Sequence, residues 1–264
     1  MKLLIIRHGD PDYAHDSLTE RGDKEAALLA DYLLREQERG NTIDAFYLSP
    51  LGRAQRTAQF TLDKLGRSGE TLPWLREFNA EVRVYEDPEL EKGFPQYPGV
   101  KRRTRLSWDI LPSYLKDRPD YYDPVDWRRT EVCRVSDTNE VYDRVTAGLD
   151  ELLAKWGCFR DGRFYRVEQE THATLAFFCH FGVECVLLSH LIGVSPFALW
   201  HGLIALPTGL TLVHTEEREQ GLASFRVAYF GSLPHFVESG QEPSFHGRFC
   251  ECFSDDTRHK EMEN

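Results

Sequence analysis

The sequence predicts an α/β fold, a three-layer α/β/α sandwich with a mainly parallel sheet. Short apolar runs alternate with longer stretches of helical periodicity, which is typical of a parallel sheet covered by helices on both faces. The late strands leave room for an antiparallel edge. The predicted strands span residues 2–6, 44–48, 71–76, 174–179, 209–214 and 224–230. The predicted helices span residues 18–38, 50–66, 138–156 and 181–192.

The first strand ends abruptly at a group of polar residues. Residues 2–6 lack the polar alternation of a half-exposed strand, so we expect both faces of this strand to be buried. Arg7 and His8 follow at its carboxyl end, where sites in such sheets gather. Gly9 lets the chain turn sharply and lets a ligand approach the backbone. This tripeptide alone is equally compatible with a solvated Arg-His pair in a loop.

The second strand leads into a helix that begins with a cation. Ser49 is a favourable N-cap residue and Pro50 a favourable first helical residue. Arg53 then falls in the first turn, where the free N–H groups and the helix dipole favour an anion. An arginine there needs an anionic partner. The alternative is an exposed arginine, whose small electrostatic destabilisation the helix tolerates.

A third segment repeats this design with an apolar strand, His180, Gly182 and a helix. A single histidine in such a place is more often structural. Three strand ends that carry Arg7 with His8, Arg53 and His180 share one chemistry, however. Together they predict a site for a phosphate group.

These segments resemble the motifs of the histidine phosphatase superfamily, which has the phosphoglycerate mutase-like fold. Arg7-His8-Gly9 is similar to its signature motif. Residues 49–58, SPLGRAQRTA, are similar to its S-x-L-x-R-A-x-Q-T-A segment, and residues 179–182, CHFG, to its second-histidine motif. The resemblance extends from residue 1 to about residue 80 and from about residue 137 to residue 230.

The resemblance implies a role for each of these residues. His8 is the nucleophile, which forms a phosphohistidine that water later hydrolyses. Arg7, Arg53 and His180 bind the non-bridging phosphoryl oxygens, because phosphoryl transfer depends on positioning and on stabilising charge. The backbone N–H of Phe181, at the start of the following helix, is a further donor.

The family also supplies a carboxylic acid that protonates the leaving group. Glu77 has the spacing and the Leu-Arg-Glu context of that acid, and Glu81 is the alternative. A third option is that Glu77 only pairs with Arg76 or with solvent. An acid working near neutral pH needs a raised pKa, which a partly apolar pocket including Trp74 and Phe78 would provide.

The loop after the signature motif departs from the family pattern. Asp10 stands where Glu or Gln is more common, and the loop offers no Asn of the kind with which many members contact phosphate. Substrate identity therefore does not transfer from the mutases. Asp10, Asp12, His15 and Asp16 are side chains of metal-binding type, but no flanking motif has recognised metal-site spacing. We expect no metal and no cofactor.

Length and composition are those of one domain over residues 1–264, since no linker is evident. The net charge of −11 argues against a nucleic-acid surface but not against a small anionic substrate in a local Arg-His pocket. No apolar run approaches the ~20 residues that span a bilayer. Met1 leads directly into the first strand, so we expect a cytoplasmic protein without a signal peptide. The six cysteines lack the spacing of zinc or disulfide frameworks.

Two regions lie outside the resemblance. Residues 82–136 are an insertion rich in prolines, aromatics and basic residues, which is typical of a lid or substrate-binding loop. A surface excursion or a contact in a homodimer explains it equally well. The aromatic residues that would form an apolar cover over a substrate are Trp108, Tyr114, Tyr121, Tyr122 and Trp127. Residues 240–264 form a polar tail that we expect to be incompletely ordered.

The sequence thus favours a metal-independent phosphomonoesterase of the histidine acid phosphatase type, acting on a small phosphorylated metabolite. A phosphoglycerate mutase-type phosphotransferase uses the same covalent step and is the alternative within the fold. A non-catalytic phospholigand-binding protein is the alternative outside enzymes. His8, Glu77 and His180 favour an enzyme, because a binding protein needs neither a nucleophile nor an acid.

Overall fold

The computed structural model describes residues 1–95, 104–248 and 250–255. In these ranges the strands are β1 (Lys2–Arg7), β2 (Pro11–Asp12), β3 (Ser17–Leu18), β4 (Ala45–Leu48), β5 (Glu70–Thr71), β6 (Glu81–Val82), β7 (Arg105–Leu106), β8 (Cys158–Asp161), β9 (Phe164–Val167), β10 (Thr174–Cys179), β11 (Leu210–Glu219) and β12 (Leu222–Ser232). The α-helices are α1 (Glu20–Glu38), α2 (Gly52–Leu65), α3 (Pro88–Glu91), α4 (Pro112–Leu115), α5 (Glu131–Arg134), α6 (Thr138–Lys155), α7 (Phe181–Ile192), α8 (Pro196–Gly202) and α9 (Pro234–Ser239). Short 3-10 helices span Pro73–Leu75, Val84–Glu86, Pro119–Tyr122 and Asp126–Arg129.

One eight-stranded sheet organises the molecule, in the order β5-β4-β10-β1-β11-β12-β9-β8. The strands β5, β4, β10 and β1 run parallel to one another. The remaining strands join by antiparallel pairing, beginning with β11 against β1. This arrangement confirms the α/β class and the antiparallel edge expected among the late strands.

The strand β1 is buried on both faces, as the sequence predicts. Leu3 and Ile5 belong to the larger apolar core, which α6 and α7 complete. Leu4 and Ile6 belong to a second core on the opposite face, which α1 and α2 cover. Because side chains alternate along a strand, an unbroken apolar run supplies both cores at once.

Other sequence predictions differ from the structure in local detail. The predicted strand over residues 71–76 is wrong, since β5 ends at Thr71 and Pro73 opens a 3-10 helix. Proline has no N–H to give to a sheet, which explains the break. The hairpin of β8 and β9 and the helices α8 and α9 were not predicted. No helix among the described residues has the length and apolar character needed to cross a membrane.

The described part of the insertion at residues 82–136 contributes apolar side chains to the larger core. Its short helices bury Tyr121 and Trp127, so neither ring is exposed, and the role of the insertion as a substrate-selecting lid stays a prediction. Tyr114 is also buried, whereas Tyr122 is exposed. The basic residues 101–103 of this insertion lie outside the described residues.

Candidate active site

The three sequence motifs meet at the carboxyl ends of three adjacent strands. In the sheet β10 lies between β4 and β1, and Arg7 of β1 is in register with Cys179 of β10. The pairing continues past the strand ends, where the His8 N–H donates to Cys179 O (3.0 Å) and the Ser49 N–H to Phe178 O (2.9 Å). Parallel register thus brings together side chains that are distant in sequence.

His8 is buried, and its hydrogen bonds define its protonation. Its Nδ1 lies 2.7 Å from the carbonyl oxygen of Gly9, which can only accept, so Nδ1 carries the proton. Its Nε2 accepts from Nε of Arg53 at 3.3 Å. Burial holds the pKa of His8 well below its usual value, and the positive groups around the ring lower it further. The imidazole is therefore neutral, with a lone pair on Nε2.

Arg53 lies in the first turn of α2, as predicted, and its Nε contacts Nε2 of His8. It has the anionic partner that its position requires. Its Nη1 donates to Oδ1 of Asp16 at 2.7 Å. The other oxygen of Asp16 accepts from the N–H of Gly52, the first residue of α2, also at 2.7 Å. Asp16 thus orients the arginine and satisfies the helix N-terminus at once.

Arg7 is buried at the carboxyl end of β1, directly before His8 in the sequence. Its Nη1 donates to the carbonyl oxygens of Ala205 (2.5 Å) and His246 (3.1 Å). Burial lowers the pKa of this guanidinium, and the carboxyls of Glu77 and Glu184 oppose that effect. The group remains a cation, since the ordinary pKa of arginine is far above neutrality.

His180 completes the cluster, with its ring centroid 5.0 Å from that of His8. Its Nε2 lies 2.7 Å from the hydroxyl oxygen of Ser49, and both side chains are fully buried. The prediction that Ser49 caps α2 is wrong, because Leu51 holds the cap position and the helix starts at Gly52. The Ser49 hydroxyl instead accepts from the Leu51 N–H at 3.2 Å while it contacts His180.

Glu77 reaches the cluster from the loop that follows the 3-10 helix Pro73–Leu75. Its Oε1 accepts from the N–H groups of Phe78 (2.7 Å) and Val183 (3.1 Å). Burial raises the pKa of Glu77, although these hydrogen bonds and the arginines of the site oppose the shift. Glu81, the alternative acid, is exposed in β6, away from the strand ends that carry the cluster.

Two backbone N–H groups at the start of α7 are candidate donors to the site, those of Phe181 and Val183. Phe181 is the first residue of that helix, as predicted, and is half-buried. The N–H that contacts the site in the described structure is that of Val183, through Glu77. The role of Phe181 as a phosphate donor stays a prediction.

Two loop residues of the site were not predicted as phosphate-site residues. Asp16 was considered only as a metal ligand, yet it orients Arg53. Tyr13 lies at the mouth of the site, with its ring 5.3 Å from the Arg53 guanidinium. Their loop has no helical or strand periodicity, so only the run of polar residues after Gly9 marked it.

The polar tail predicted from residue 240 onward contributes to the site where the structure describes it. The Ser244 N–H donates to Oε1 of Glu25 at 2.9 Å, and Oε2 of the same carboxyl accepts from the Asp10 N–H at 2.8 Å. The ring of His246 lies 5.3 Å from that of Tyr13. One buried glutamate therefore holds the signature loop and the tail together.

The side chains considered as metal ligands have other partners. Asp12 pairs with His15 (2.7 Å), and Asp10 accepts from the Thr19 hydroxyl (2.7 Å). Within residues 1–95, 104–248 and 250–255, no group of three or more His, Cys, Asp or Glu side chains is placed to hold a metal ion.

The sequence and the fold are similar to those of known proteins. A family model described as histidine phosphatase superfamily (branch 1) matches residues 3–227. The fold is similar to that of a mycobacterial glucosyl-3-phosphoglycerate phosphatase, with a TM-score of 0.53 and 18% identity over 88% of this chain and 98% of that one. It is also similar to a phosphoserine phosphatase from Entamoeba histolytica, with a TM-score of 0.52 and 17% identity over 89% of this chain and 98% of that one. No curated protein matches the sequence significantly.

Proposed function

Because the chain belongs to the histidine phosphatase superfamily (branch 1), we propose that it hydrolyses phosphomonoesters through a phosphohistidine on Nε2 of His8. One observation carries the proposal: the buried His8 ring has its proton on Nδ1 and its lone pair on Nε2, where it accepts a 3.3 Å hydrogen bond from Arg53. A neutral ring nitrogen held among cations is suited to attack an anionic phosphoryl group. The proposed substrate is a small phosphorylated metabolite, and the chemistry uses no metal or cofactor.

In the first step, the lone pair of Nε2 forms a bond to phosphorus while the bond from phosphorus to the leaving oxygen breaks. Arg7, Arg53 and His180 hold the non-bridging oxygens and stabilise the charge that spreads over them. Glu77 gives its proton to the leaving oxygen. The raised pKa of Glu77 favours the protonated form that this transfer requires.

In the second step, a water molecule attacks phosphorus and the bond to Nε2 breaks, which returns the electron pair to the ring. The carboxylate of Glu77 takes the proton of that water, so the acid of the first step is the base of the second. Inorganic phosphate leaves, and His8 and Glu77 are restored to their starting protonation states.

The test compares wild-type protein, His8→Ala and the control His172→Ala in the presence of EDTA. His172 is exposed and precedes β10, at the end of the sheet opposite the candidate site. The substrates are p-nitrophenyl phosphate, sugar phosphates, phosphoserine and 3-phosphoglycerate. We expect turnover in the wild type and in His172→Ala and none in His8→Ala, together with an acid-labile, base-stable phosphoryl label that only His8→Ala lacks.

Three outcomes would contradict the proposal. Full turnover by His8→Ala would show that another group is the nucleophile. Return of the phosphoryl group to a second substrate molecule would indicate a mutase-type phosphotransferase. Binding of phosphate without turnover of any monoester would indicate a phospholigand-binding protein. The cytoplasmic location and the homodimer stay predictions.

A further inference from the structure

Glu184 is a fully buried carboxyl next to the candidate active site, and the proposed reaction does not use it. It lies in the first turn of α7, four residues after His180, with no exposed surface. In the described part of the chain neither of its oxygens has a hydrogen-bond partner. A buried carboxyl without hydrogen bonds destabilises the folded state, so its presence beside a charged site suggests a functional role.

Arg7 reaches the same space from the sheet. Thr211 of β11 lies opposite Ile5 of β1, and Ile5 packs in the core that α7 covers. Residues two apart on a strand share a face, so Arg7 points to the same side as Ile5. Arg7 and Glu184 lie within range of each other's charge, because Arg7 lowers the pKa of Glu184 and Glu184 raises that of Arg7.

The two side chains carry complementary unsatisfied groups. The Nε–H of Arg7 is buried and has no acceptor among the described residues, while Nη1 donates to backbone carbonyls. Glu184 offers two free acceptor oxygens but no donor reaches them with good geometry. The hydroxyl of Thr211 lies beside this carboxyl and lowers its pKa. A buried donor and a buried acceptor thus lie within range of each other's charge without being paired.

We infer that Glu184 is a positioning residue for Arg7: its carboxyl accepts the Nε–H of Arg7 when a phosphoryl group is bound, and so directs the guanidinium onto the phosphoryl oxygens. The inference rests on the proposed function, since it assigns Arg7 to phosphoryl binding. As a neutral acid, Glu184 accepts from Arg7 through its carbonyl oxygen and donates to the Thr211 hydroxyl. The site then keeps the whole positive charge of Arg7 for the phosphoryl group.

Ionisation of Glu184 would change that charge balance. Burial raises the pKa of Glu184 to about 8, so the carboxyl is neutral at neutral pH and ionises in mild alkali. The other groups that face it are Arg7 of β1, Glu77, the hydroxyl of Thr211 and the thiols of Cys179 and Cys185. The pKa of each thiol lies well above its usual value, so neither ionises in the same range. An anionic Glu184 would neutralise Arg7 and weaken phosphate binding.

The experiment measures binding of inorganic phosphate by calorimetry in a Glu77→Gln background, in which Glu77 cannot titrate and turnover is not needed. Glu184→Gln keeps an acceptor for Arg7 and a donor for Thr211 but cannot ionise. Glu184→Leu keeps the volume and loses both. Glu217→Gln is the control, because it removes an exposed carboxyl of β11 beyond the amino end of β1, opposite the candidate site.

With Glu184 present we expect the phosphate Kd to rise by about tenfold or more between about pH 7 and pH 9, and in the Glu184→Gln variant by less than about threefold. At about pH 7 we expect Glu184→Leu to weaken binding by about tenfold and Glu184→Gln to leave it nearly unchanged. Glu217→Gln should keep the alkaline weakening. An equal alkaline weakening in Glu184→Gln would overturn the inference, as would a Glu184→Leu variant that binds phosphate like its parent.

If Glu184→Leu does not fold, the comparison of Glu184→Gln with its parent across the pH range still decides between the outcomes. The result is also independent of catalysis. A protein that turns over no phosphomonoester but shows this pH dependence would contradict the proposed hydrolase and support the role of Glu184. A protein that hydrolyses phosphomonoesters but whose phosphate affinity does not depend on Glu184 would support the proposed hydrolase and contradict the role of Glu184.

Discussion

The hydroxyl oxygen of Ser49 lies 2.7 Å from Nε2 of His180, and neither side chain is exposed to solvent. The serine follows β4 and the histidine follows the adjacent strand β10, so the parallel register of the sheet creates the contact. If the hydroxyl donates to Nε2, the ring proton of His180 stands on Nδ1, which has no hydrogen-bond partner among the described residues. A hydroxyl that donates to Nε2 would therefore fix the tautomer of His180.

Removing that hydroxyl should impair activity more than stability. We expect Ser49→Ala to lower kcat/KM by about tenfold, which corresponds to the ~1.4 kcal/mol of one lost hydrogen bond. Ser189→Ala is the control, since its hydroxyl is also buried and hydrogen-bonded, at 3.0 Å from that of Tyr142, but belongs to the far end of α7. Steady-state kinetics and thermal unfolding of both variants check the expectation. Equal activity losses in the two variants would show that Ser49 is only structural.

The acid–base role of Glu77 predicts different results for different leaving groups. For an alkyl phosphate, Glu77→Gln should lower kcat by about 10²-fold or more, because the leaving oxygen has no proton source. The wild-type rate should fall as pH rises through the raised pKa of Glu77, and the variant should lack this decline.

For p-nitrophenyl phosphate, whose leaving group needs no proton, Glu77→Gln should release a burst of one equivalent of p-nitrophenol and then accumulate phosphoenzyme. Rapid-quench kinetics measures both quantities. The control is Glu81→Gln, at the exposed alternative position, which should behave like the wild type. If Glu81→Gln instead gave the burst and the accumulated phosphoenzyme, Glu81 and not Glu77 would be the acid.

The meeting of Arg7, His8, Arg53 and His180 could be predicted because each lies at, or within a few residues of, the end of an apolar strand. Arg7, His8 and His180 lie at strand ends, and Arg53 lies one helical turn beyond another. Such local patterns need no knowledge of distant contacts. The resemblance to a family then added Glu77, whose loop has no regular pattern of its own.

The rest of the site depends on contacts that local patterns do not encode. Asp16, in the turn between β2 and β3, accepts from Arg53. The backbone carbonyl of His246, near the far end of the chain, accepts from Arg7. Glu184 has the sequence character of an ordinary acidic residue in a first helical turn. Only the packing of α7 against the sheet shows that it is buried beside Arg7.

The close packing of Trp108 on Gly182 predicts a substitution with a suppressor. A Cβ atom at Gly182 would overlap the indole ring of Trp108, which itself lies edge-on to Trp200 with ring centroids 6.2 Å apart. Gly182→Ala should therefore destabilise the protein by about 1–3 kcal/mol, as overpacked cores do. It should also lower activity, since Gly182 lies two residues after His180.

Trp108→Ala should recover part of that loss, because the smaller side chain makes room for the added methyl group. Denaturant unfolding of the two single variants and the double variant gives the coupling energy. Gly202→Ala, near the end of α8, is the control, since its Cβ would meet no atom within 4 Å. Additive effects of Gly182→Ala and Trp108→Ala would show that the indole does not restrict this position.

The buried Glu184 also predicts how stability depends on pH. In the unfolded chain this carboxyl ionises near its ordinary value of 4.5, whereas in the folded protein its pKa is about 8. Between these two pKa values the folded state holds a proton that the unfolded state releases. The buried carboxyl therefore lowers the free energy of unfolding as pH rises to about 8, and it has no such effect below its unfolded pKa.

Glu184→Gln removes the effect. The variant should thus become progressively more stable than the wild type as pH rises from about 5 to about 8, by at most ~1.4 kcal/mol for each pH unit. Urea unfolding of both proteins across this range measures the difference, and a difference that stays constant with pH would mean that Glu184 is already ionised in the folded protein.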